Sequence, residues 1–436
     1  MVDGLPAASA CVVAFSGGVD SHLLLHELAA RRARLPAPLA AVHVHHGLQA
    51  QADAWARHCR AVCTRLGVPL AVLEVDARPA SGESPEAAAR NARYRALADW
   101  LEPGALLLTA QHRDDQAETL LLQLLRGAGP AGLAAMPAAR PFGRGRLLRP
   151  LLGLPRAEIL RRAQNAGLAW IEDPSNRDPA YARNFLRGEI VPRLRRRWPA
   201  LDAVLARAAT HQAEAAQLLD ALAGIDLVAC ARGTGLDIPA LARLDAARQR
   251  NLLRHWIRRQ GFPLPVARVL ERLRTEMPAA RPGRSPRVDW AGAQVRRYRD
   301  VLYLMAPPPS VPEGLEYSWA GPGEQALAEA GGVLRGQAVT GADGARAPLL
   351  KWPHAGGYRV RFRRGGEMLR PAGSNHRRRL KTLLQEKGIP PWERERLPLI
   401  YAGETLAAVA GVLVCEGFVA GPGETGVRLE WSRLQP

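Results

Sequence analysis

The chain has 436 residues, 60 Lys+Arg against 41 Asp+Glu, a formal net charge of +19 and five cysteines. That length supports two or three domains with real cores. With no apolar run of spanning length and no leader-like start, the sequence excludes a membrane protein and points to a cytoplasmic one. Cys11, Cys59, Cys63, Cys230 and Cys415 form no disulfide framework, and Cys59 and Cys63, four apart in a helical pattern, read as packed thiols rather than metal ligands.

The charge is unevenly placed. Residues 1–130 hold 12 Arg and 13 acidic residues, so the whole basic surplus lies downstream. A near-neutral front and a basic back suggest a small-molecule chemistry domain joined to a part that meets a polyanion, most simply nucleic acid. Only Lys351, Lys381 and Lys387 are lysines; a compositional bias explains arginine over lysine but not the unequal distribution.

In chain order, apolar runs at Cys11–Phe15, Leu39–Val44, Leu70–Val75 and Ala105–Thr109 each precede a helical pattern, with starts 28, 31 and 35 residues apart. This is the rhythm of βαβ units, so the fold class is α/β, a parallel sheet flanked by helices. Ligands of such sheets bind beyond the carboxyl ends of the strands, here Ser16–Ser21, His43–Leu48, Asp76–Glu86 and Gln111–Asp115. Residues 156–198 read as helical with a turn at Glu172-Asp173-Pro174-Ser175-Asn176. The expected layout is a catalytic domain over 1–200, a helical, basic domain over 201–305, a linker or irregular segment over 306–354 and a small α+β domain over 355–436. That last domain contains a helix near Leu380–Lys387 stopped by Gly388 and Pro390.

The stretch AFSGGVDS, Ala14–Ser21, follows the first strand and opens the first helix, where unpaired N–H groups favour an anion. A Walker-type loop needs a lysine after its glycines, and no lysine precedes position 351; GxGxxG is also missing. What remains is close backbone approach at Gly17-Gly18, the hydroxyls of Ser16 and Ser21, and Asp20 placed to hold a metal ion bridging phosphates. At the fourth strand, Gln111-His112-Arg113-Asp114-Asp115 runs into Glu118 and Thr119. Asp115 and Glu118 share a helix face, an arrangement equally suited to a ligand edge and to a capping box. His43, His45 and His46 alternate along a strand, which argues against a shared zinc ion.

SGGVDS resembles the SGGxDS signature of the N-type ATP pyrophosphatases, which cleave ATP between the α- and β-phosphates. With TAQHRDDQAET at 109–119, Arg126–Gly129, Glu86–Arg90 with Arg93-Tyr94, Arg149–Leu152, Trp170–Asn176 and Arg183–Arg187, the sequence resembles the tRNA(Ile)-lysidine synthetase family of that superfamily. The resemblance is dense over about residues 11–200 and looser near the end; Gln111 stands where some members carry a second histidine. It implies ATP and Mg2+ as cofactors and tRNA(Ile) with a CAU anticodon and free L-lysine as partners. A homodimer is compatible with it. The cytidine carbonyl at the first anticodon position is adenylated, and the lysine ε-amine then displaces AMP.

By that resemblance Ser16, Gly17, Gly18, Val19, Asp20 and Ser21 hold the nucleotide phosphates, and Asp20 and Asp115 take the metal. Asp20, Arg90, His112, Asp115, Glu118 and Arg187 form the catalytic set, with Asp115 and Glu118 for lysine or metal and His112 assisting proton transfer. Asp173, Ser175 and Asn176 could form a turn that positions Arg187. Two basic stretches, 243–299 with 15 Arg and four acidic residues and 359–381 with nine basic residues against Glu367, fit phosphates touched at two places on a folded RNA. Competing readings are a tRNA thiolase, disfavoured by the lack of CxxC, a small-metabolite amidotransferase-type ligase, and a tRNA-binding module with an inactive front domain.

Overall fold

A computed structural model describes residues 4–45, 52–76, 78, 85–174, 178–281, 286–340, 348–354 and 356–433. His46, Ser175 and Asn176 lie outside the described residues, as does the side chain of Glu86. The chain divides into two compact units, 1–221 and 222–436.

The first unit opens with β1 (Cys11–Ala14), α1 (Val19–Ala30), β2 (Leu39–His45), α2 (Ala52–Leu66), β3 (Leu70–Glu74), α3 (Pro85–Trp100), β4 (Leu106–Leu108) and α4 (Arg113–Leu125). A short α5 (Pro130–Leu133) leads into a hairpin, β5 (Ala139–Phe142) and β6 (Gly145–Leu148), and then α6 (Arg156–Asn165). The sheet order is β3-β2-β1-β4-β6-β5; all neighbours are parallel except the β5 edge.

Alternation along the strands builds two cores. Cys11, Val13 and Phe15 pack with Leu24, Leu28, Val62 and Ile159 on one face, while Val12, Val42, Leu107 and Leu147 pack with Leu97 of α3 on the other. Strands buried on both faces need continuous apolar runs, which is why these four were readable from the sequence. The chain adds β2 and β3 on one side of β1 and then returns to lay β4 on the other. The loops after β1 and β4 therefore splay apart and leave a crevice between them. The β5–β6 hairpin went unread because its RPFGRGRLL sequence is too short and polar to announce a strand.

Beyond the crevice run α7 (Ala182–Phe185), a π-helical turn (Leu186–Ile190), α8 (Val191–Arg197) and the long α9 (Leu201–Cys230). In the second unit, β7 (Ala231–Arg232), β8 (Gly235–Asp237), β9 (Arg287–Trp290), β10 (Ala293–Tyr298) and β11 (Val301–Met305) form a sheet in the order β7-β8-β11-β10-β9. It packs with α10 (Ile238–Ala242), α11 (Ala246–Arg259) and α12 (Ala267–Ala279) around Leu253, Trp256, Leu273 and Val295. The region expected to be helical is thus mixed, since Gly292, at φ +72, turns a hairpin inside it.

The expected linker over 306–354 is corrected too. It carries β12 (Glu316–Trp319), β13 (Gly323–Leu327), β14 (Gly332–Thr340) and β15 (Leu350–Lys351). These pair with later strands, β14 for nine residues against the last strand, Gly332↔Arg433 to Thr340↔Thr425, so 355–436 does not stand apart from it. Its glycines fit large neighbours: a Cβ on Gly332 would collide with the ring of Trp431, and one on Gly336 would lie 3.0 Å from Trp319. The expected late helix forms over Leu380–Glu386 and ends at Gly388, φ +74.

The arginines of this unit are not uniformly available to a polyanion. Arg297 donates to the carbonyls of Met277, Pro278 and Ala280 at the end of α12, and Arg361 is paired with Glu316 and Glu404.

Candidate active site

The crevice is a cleft of about 820 Å³ lined from β1, β2, α3, β4 and the α7 region. The loop after β1 is shaped by its own polar atoms. Ser21, nearly buried, donates from its hydroxyl to the Gly18 carbonyl and accepts from Ser16 N–H, and the two serine hydroxyls lie 3.1 Å apart. Gly17 adopts φ +85, and Ile171 N–H donates to its carbonyl. Val19 turns its side chain into the core, and no side chain caps α1 at Gly18. The start of α1, without a side-chain cap, therefore lies on the cleft, where an anion would find it.

Asp20 lines the same cleft from the first turn of α1. Burial pushes its carboxyl above the ordinary aspartate value, opposed by the charges of His112 and Arg156 and reinforced by Asp115. Its Oδ1 is buried and has no hydrogen-bond partner. His112 Nε2 lies 3.9 Å away.

At the start of α4 the two readings of the sequence divide between two carboxylates. The capping box is real, but it is formed by His112 and Asp115: His112 N–H donates to Asp115 Oδ2, and Asp115 N–H donates to His112 Nδ1. Asp115 keeps Oδ1 for Arg187, at 3.1 Å, and lines the cleft. Glu118, buried one turn on, is engaged by Arg187 at two points, 2.7 and 2.9 Å, and approached by Arg183 at 3.3 Å. The structure therefore gives Glu118 the work of holding arginines at the wall. Arg183 also donates to Thr119 Oγ1, and Thr119 in turn donates to the Asp115 carbonyl. Burial works against the charge of Arg187, yet Glu118, Asp115 and Asp20 outweigh it and raise its pKa.

Arg90 lies exposed on α3 at the far wall of the cleft, its guanidinium over the ring of Tyr94. Gln111 accepts from Thr109 Oγ1 at 2.6 Å. His43, at the end of β2, pairs through Nδ1 with the Phe15 carbonyl, and burial lowers its pKa. His45 pairs with Asp53, so these two histidines do not converge, and among the described residues no group of three or more His, Cys, Asp or Glu could hold a metal ion. Cys59 and Cys63 are buried free thiols, pushed up to about 12 and about 11 by burial.

The sequence reading missed Arg156, Arg195 and Ile171. Arg195 of α8 bridges Asp114 at 2.6 Å and Asp202 at 2.7 Å, while Asp114 also accepts from the Arg156 N–H that opens α6. Nothing local in RRR at 195–197 singles out one arginine for that bridge.

Three domain models and many relatives match along the chain. A PP-loop domain model matches residues 3–194, a TilS substrate binding domain model 236–303 and a TilS substrate C-terminal domain model 358–431. A tRNA(Ile)-lysidine synthase of Methylococcus capsulatus is 47% identical over 98% of both chains. Those of Alkalilimnicola ehrlichii and Pseudomonas aeruginosa are also 47% identical, over 96% of this chain and 93% and 92% of theirs. Among solved structures, a U34-tRNA thiolase of Methanococcus maripaludis aligns with TM-score 0.42 and 18% identity, covering 49% of this chain and 74% of that one. The crystal structure of a TilS C-terminal domain aligns with TM-score 0.24 and 20% identity, covering 28% of this chain and 98% of that one. Full-length identity at this level makes the chain a member of the tRNA(Ile)-lysidine synthase family of PP-loop ATP-dependent ligases, with the loop after β1 and Asp115 on one cleft.

Proposed function

We propose that the protein adenylates the C2 carbonyl oxygen of the cytidine at the first anticodon position of a tRNA(Ile) bearing CAU. The ε-amine of free L-lysine then attacks C2, AMP leaves with that oxygen, and the lysidine formed pairs with A instead of G. The observation that carries this reading is one cleft with an open helix start and Asp20 on one side and Asp115, held beside Arg187, on the other. The backbone donors of Ser16–Ser21 would take the departing pyrophosphate, and Arg187 and Arg90 would offset its charge. Asp115 would receive the lysine ammonium, with buried His112 beside it to relay the proton lost before attack.

The unpartnered, buried Oδ1 of Asp20 and the cleft-facing carboxylate of Asp115 suit Mg2+, which takes one or two carboxylates and leaves its other positions to phosphate and water. The ion would draw charge from the phosphate oxygens as the α–β bond breaks. The reading locates the reaction in the cytoplasm, where ATP, lysine and tRNA meet; no described helix is long and apolar enough to cross a membrane. A homodimer is compatible with it, and the exposed Ile225 and Val228 of α9 would offer a face that ultracentrifugation can test.

The test incubates the protein with ATP, labelled lysine and a tRNA(Ile) transcript carrying CAU, beside a UAU control. Transfer to the CAU transcript alone is expected. Equal labelling of both, or of neither, sinks the reading. Asp20→Ala should abolish transfer and leave tRNA binding intact.

A further inference from the structure

On the wall formed by α3, across the sheet from α1, Arg90 has two arginine neighbours, Arg140 and Arg149, that the chemistry above leaves unused. Tyr94 lines the cleft. The Arg90 guanidinium lies 4.8 Å from the centre of its ring and that of Arg140, from β5, 5.8 Å. Arg140 also lies 5.2 Å from the Phe142 ring, which meets Tyr94 edge-on. Behind them Arg149 is only 6% exposed. It donates to the Pro137 carbonyl, Tyr94 lies near enough to act on its charge, and its Nε is buried without a partner. Among the described residues no ion pair joins Arg90, Arg140 or Arg149 to a carboxylate.

Two guanidinium groups over one ring with a third beside it, none of them ion-paired among the described residues, repel one another, and a buried arginine without a counter-charge is costly. Burial, then the charges of Arg140 and Arg90, lower the Arg149 pKa. An anion entering here would relieve that repulsion. The planar forks match phosphate oxygens two at a time, and the ring faces hold Arg90 and Arg140 so that little freedom is lost on binding.

We propose that Arg140 and Arg149, gathered at Tyr94 beside Arg90, form a subsite for a phosphodiester of the RNA strand that delivers the target cytidine. This rests on the function proposed above. Phosphate oxygens could also come from the pyrophosphate of ATP. The leaving pyrophosphate, however, is served by the β1–α1 loop with Arg90, whereas Arg140 and Arg149 are not among the residues that line that cleft. The strand's backbone would lie along the α3 wall and its base would turn into the cleft, with Tyr94 and the stacked guanidiniums at the point of entry.

The test uses the full-length protein with Arg140→Gln, and Arg149→Lys as a second variant that keeps the buried charge but loses the fork. Initial rates of lysine transfer are measured against tRNA, ATP and lysine at several salt concentrations, with pyrophosphate as product inhibitor. Arg140→Gln should raise the KM for tRNA about tenfold and lower its salt slope by about one, with the KM for ATP and lysine unchanged. Arg149→Lys should raise the tRNA KM with an unchanged slope. An unchanged tRNA KM in both variants, with or without a lower Tm, assigns the cluster to packing and overturns the proposal. Weaker pyrophosphate inhibition with an unaltered tRNA KM assigns it to the leaving group and also overturns it. If the parent protein transfers no lysine at all, it is the proposed function that falls, and direct tRNA binding by Arg140→Gln still decides the subsite.

Discussion

Glu118 holds Arg187 in a two-point ion pair, Oε1 2.7 Å from Nε and Oε2 2.9 Å from Nη2, while the same Nη2 reaches Asp115 Oδ1 at 3.1 Å. One buried carboxylate thus fixes the arginine, and the second, cleft-facing carboxylate shares it. If Asp115 receives the lysine ammonium, as proposed above, Arg187 would release it without losing its anchor. The π-helical turn that carries Arg187 is the kind of local irregularity that recurs where a side chain must be aimed.

Glu118→Gln keeps the shape and removes the charge. Arg187 would lose its anchor and pair more fully with Asp115, blocking the substrate ammonium. A loss of roughly 2–3 kcal/mol in unfolding free energy is expected, together with a rise in lysine KM of at least about tenfold. Denaturant unfolding and lysine-dependence curves check this.

Asp20 should show opposed effects on activity and stability. Its folded pKa is raised by burial, so between the ordinary aspartate value and the raised one the folded chain holds a proton that the unfolded chain has released. Stability therefore falls as pH rises through that window. Asp20→Asn removes this cost, so its Tm at pH 7 should exceed that of the parent, and the two should converge as pH is lowered toward 4. Lysine transfer should fall by roughly a hundredfold or more. A lower Tm at pH 7 would contradict the burial argument.

Gly17→Ala tests the phosphate loop. At φ +85 a side chain is strained, and its Cβ would lie 2.8 Å from Ile171 Cδ1 and 3.2 Å from Cys59 Sγ. A cost of about 1–3 kcal/mol is expected. ATP affinity, measured by calorimetry, should drop while tRNA affinity is retained.

Arg195→Ala cuts the bridge from Asp114 to Asp202 that ties α4, α8 and the start of α9. Because Arg195 is 38% exposed, water makes up part of the loss, and roughly 1–2 kcal/mol is expected. The turn bearing His112 and Asp115 would loosen, so kcat should fall more than the lysine KM rises. Arg195→Lys, a single charge without the fork, should restore part of the rate.

The catalytic half was legible because its central strands are buried on both faces and so spell continuous apolar runs, and because the loop after β1 draws on neighbouring residues. The regions over 201–305 and 306–354 were not, since their strands pair with segments up to about a hundred residues away and their glycines answer to the rings of Trp431 and Trp319 rather than to flexibility. Local pattern carries no record of a distant partner.

The same division runs through the site. The sequence by itself determined the parallel sheet, the loop at Ser16–Ser21 that opens α1 and the gathering of His112, Asp115 and Glu118 at the next strand end. Only the tertiary structure decided how those groups share the work: that His112 and Asp115 cap each other, that Glu118 is taken by Arg187 and Arg183, and that Asp20 keeps a buried oxygen without a partner. The physical reason is reach. A cap needs three residues of one helix, whereas the Glu118–Arg187 pair joins residues 69 apart, and their meeting depends on where the packing of the whole unit brings α7 to rest against α4.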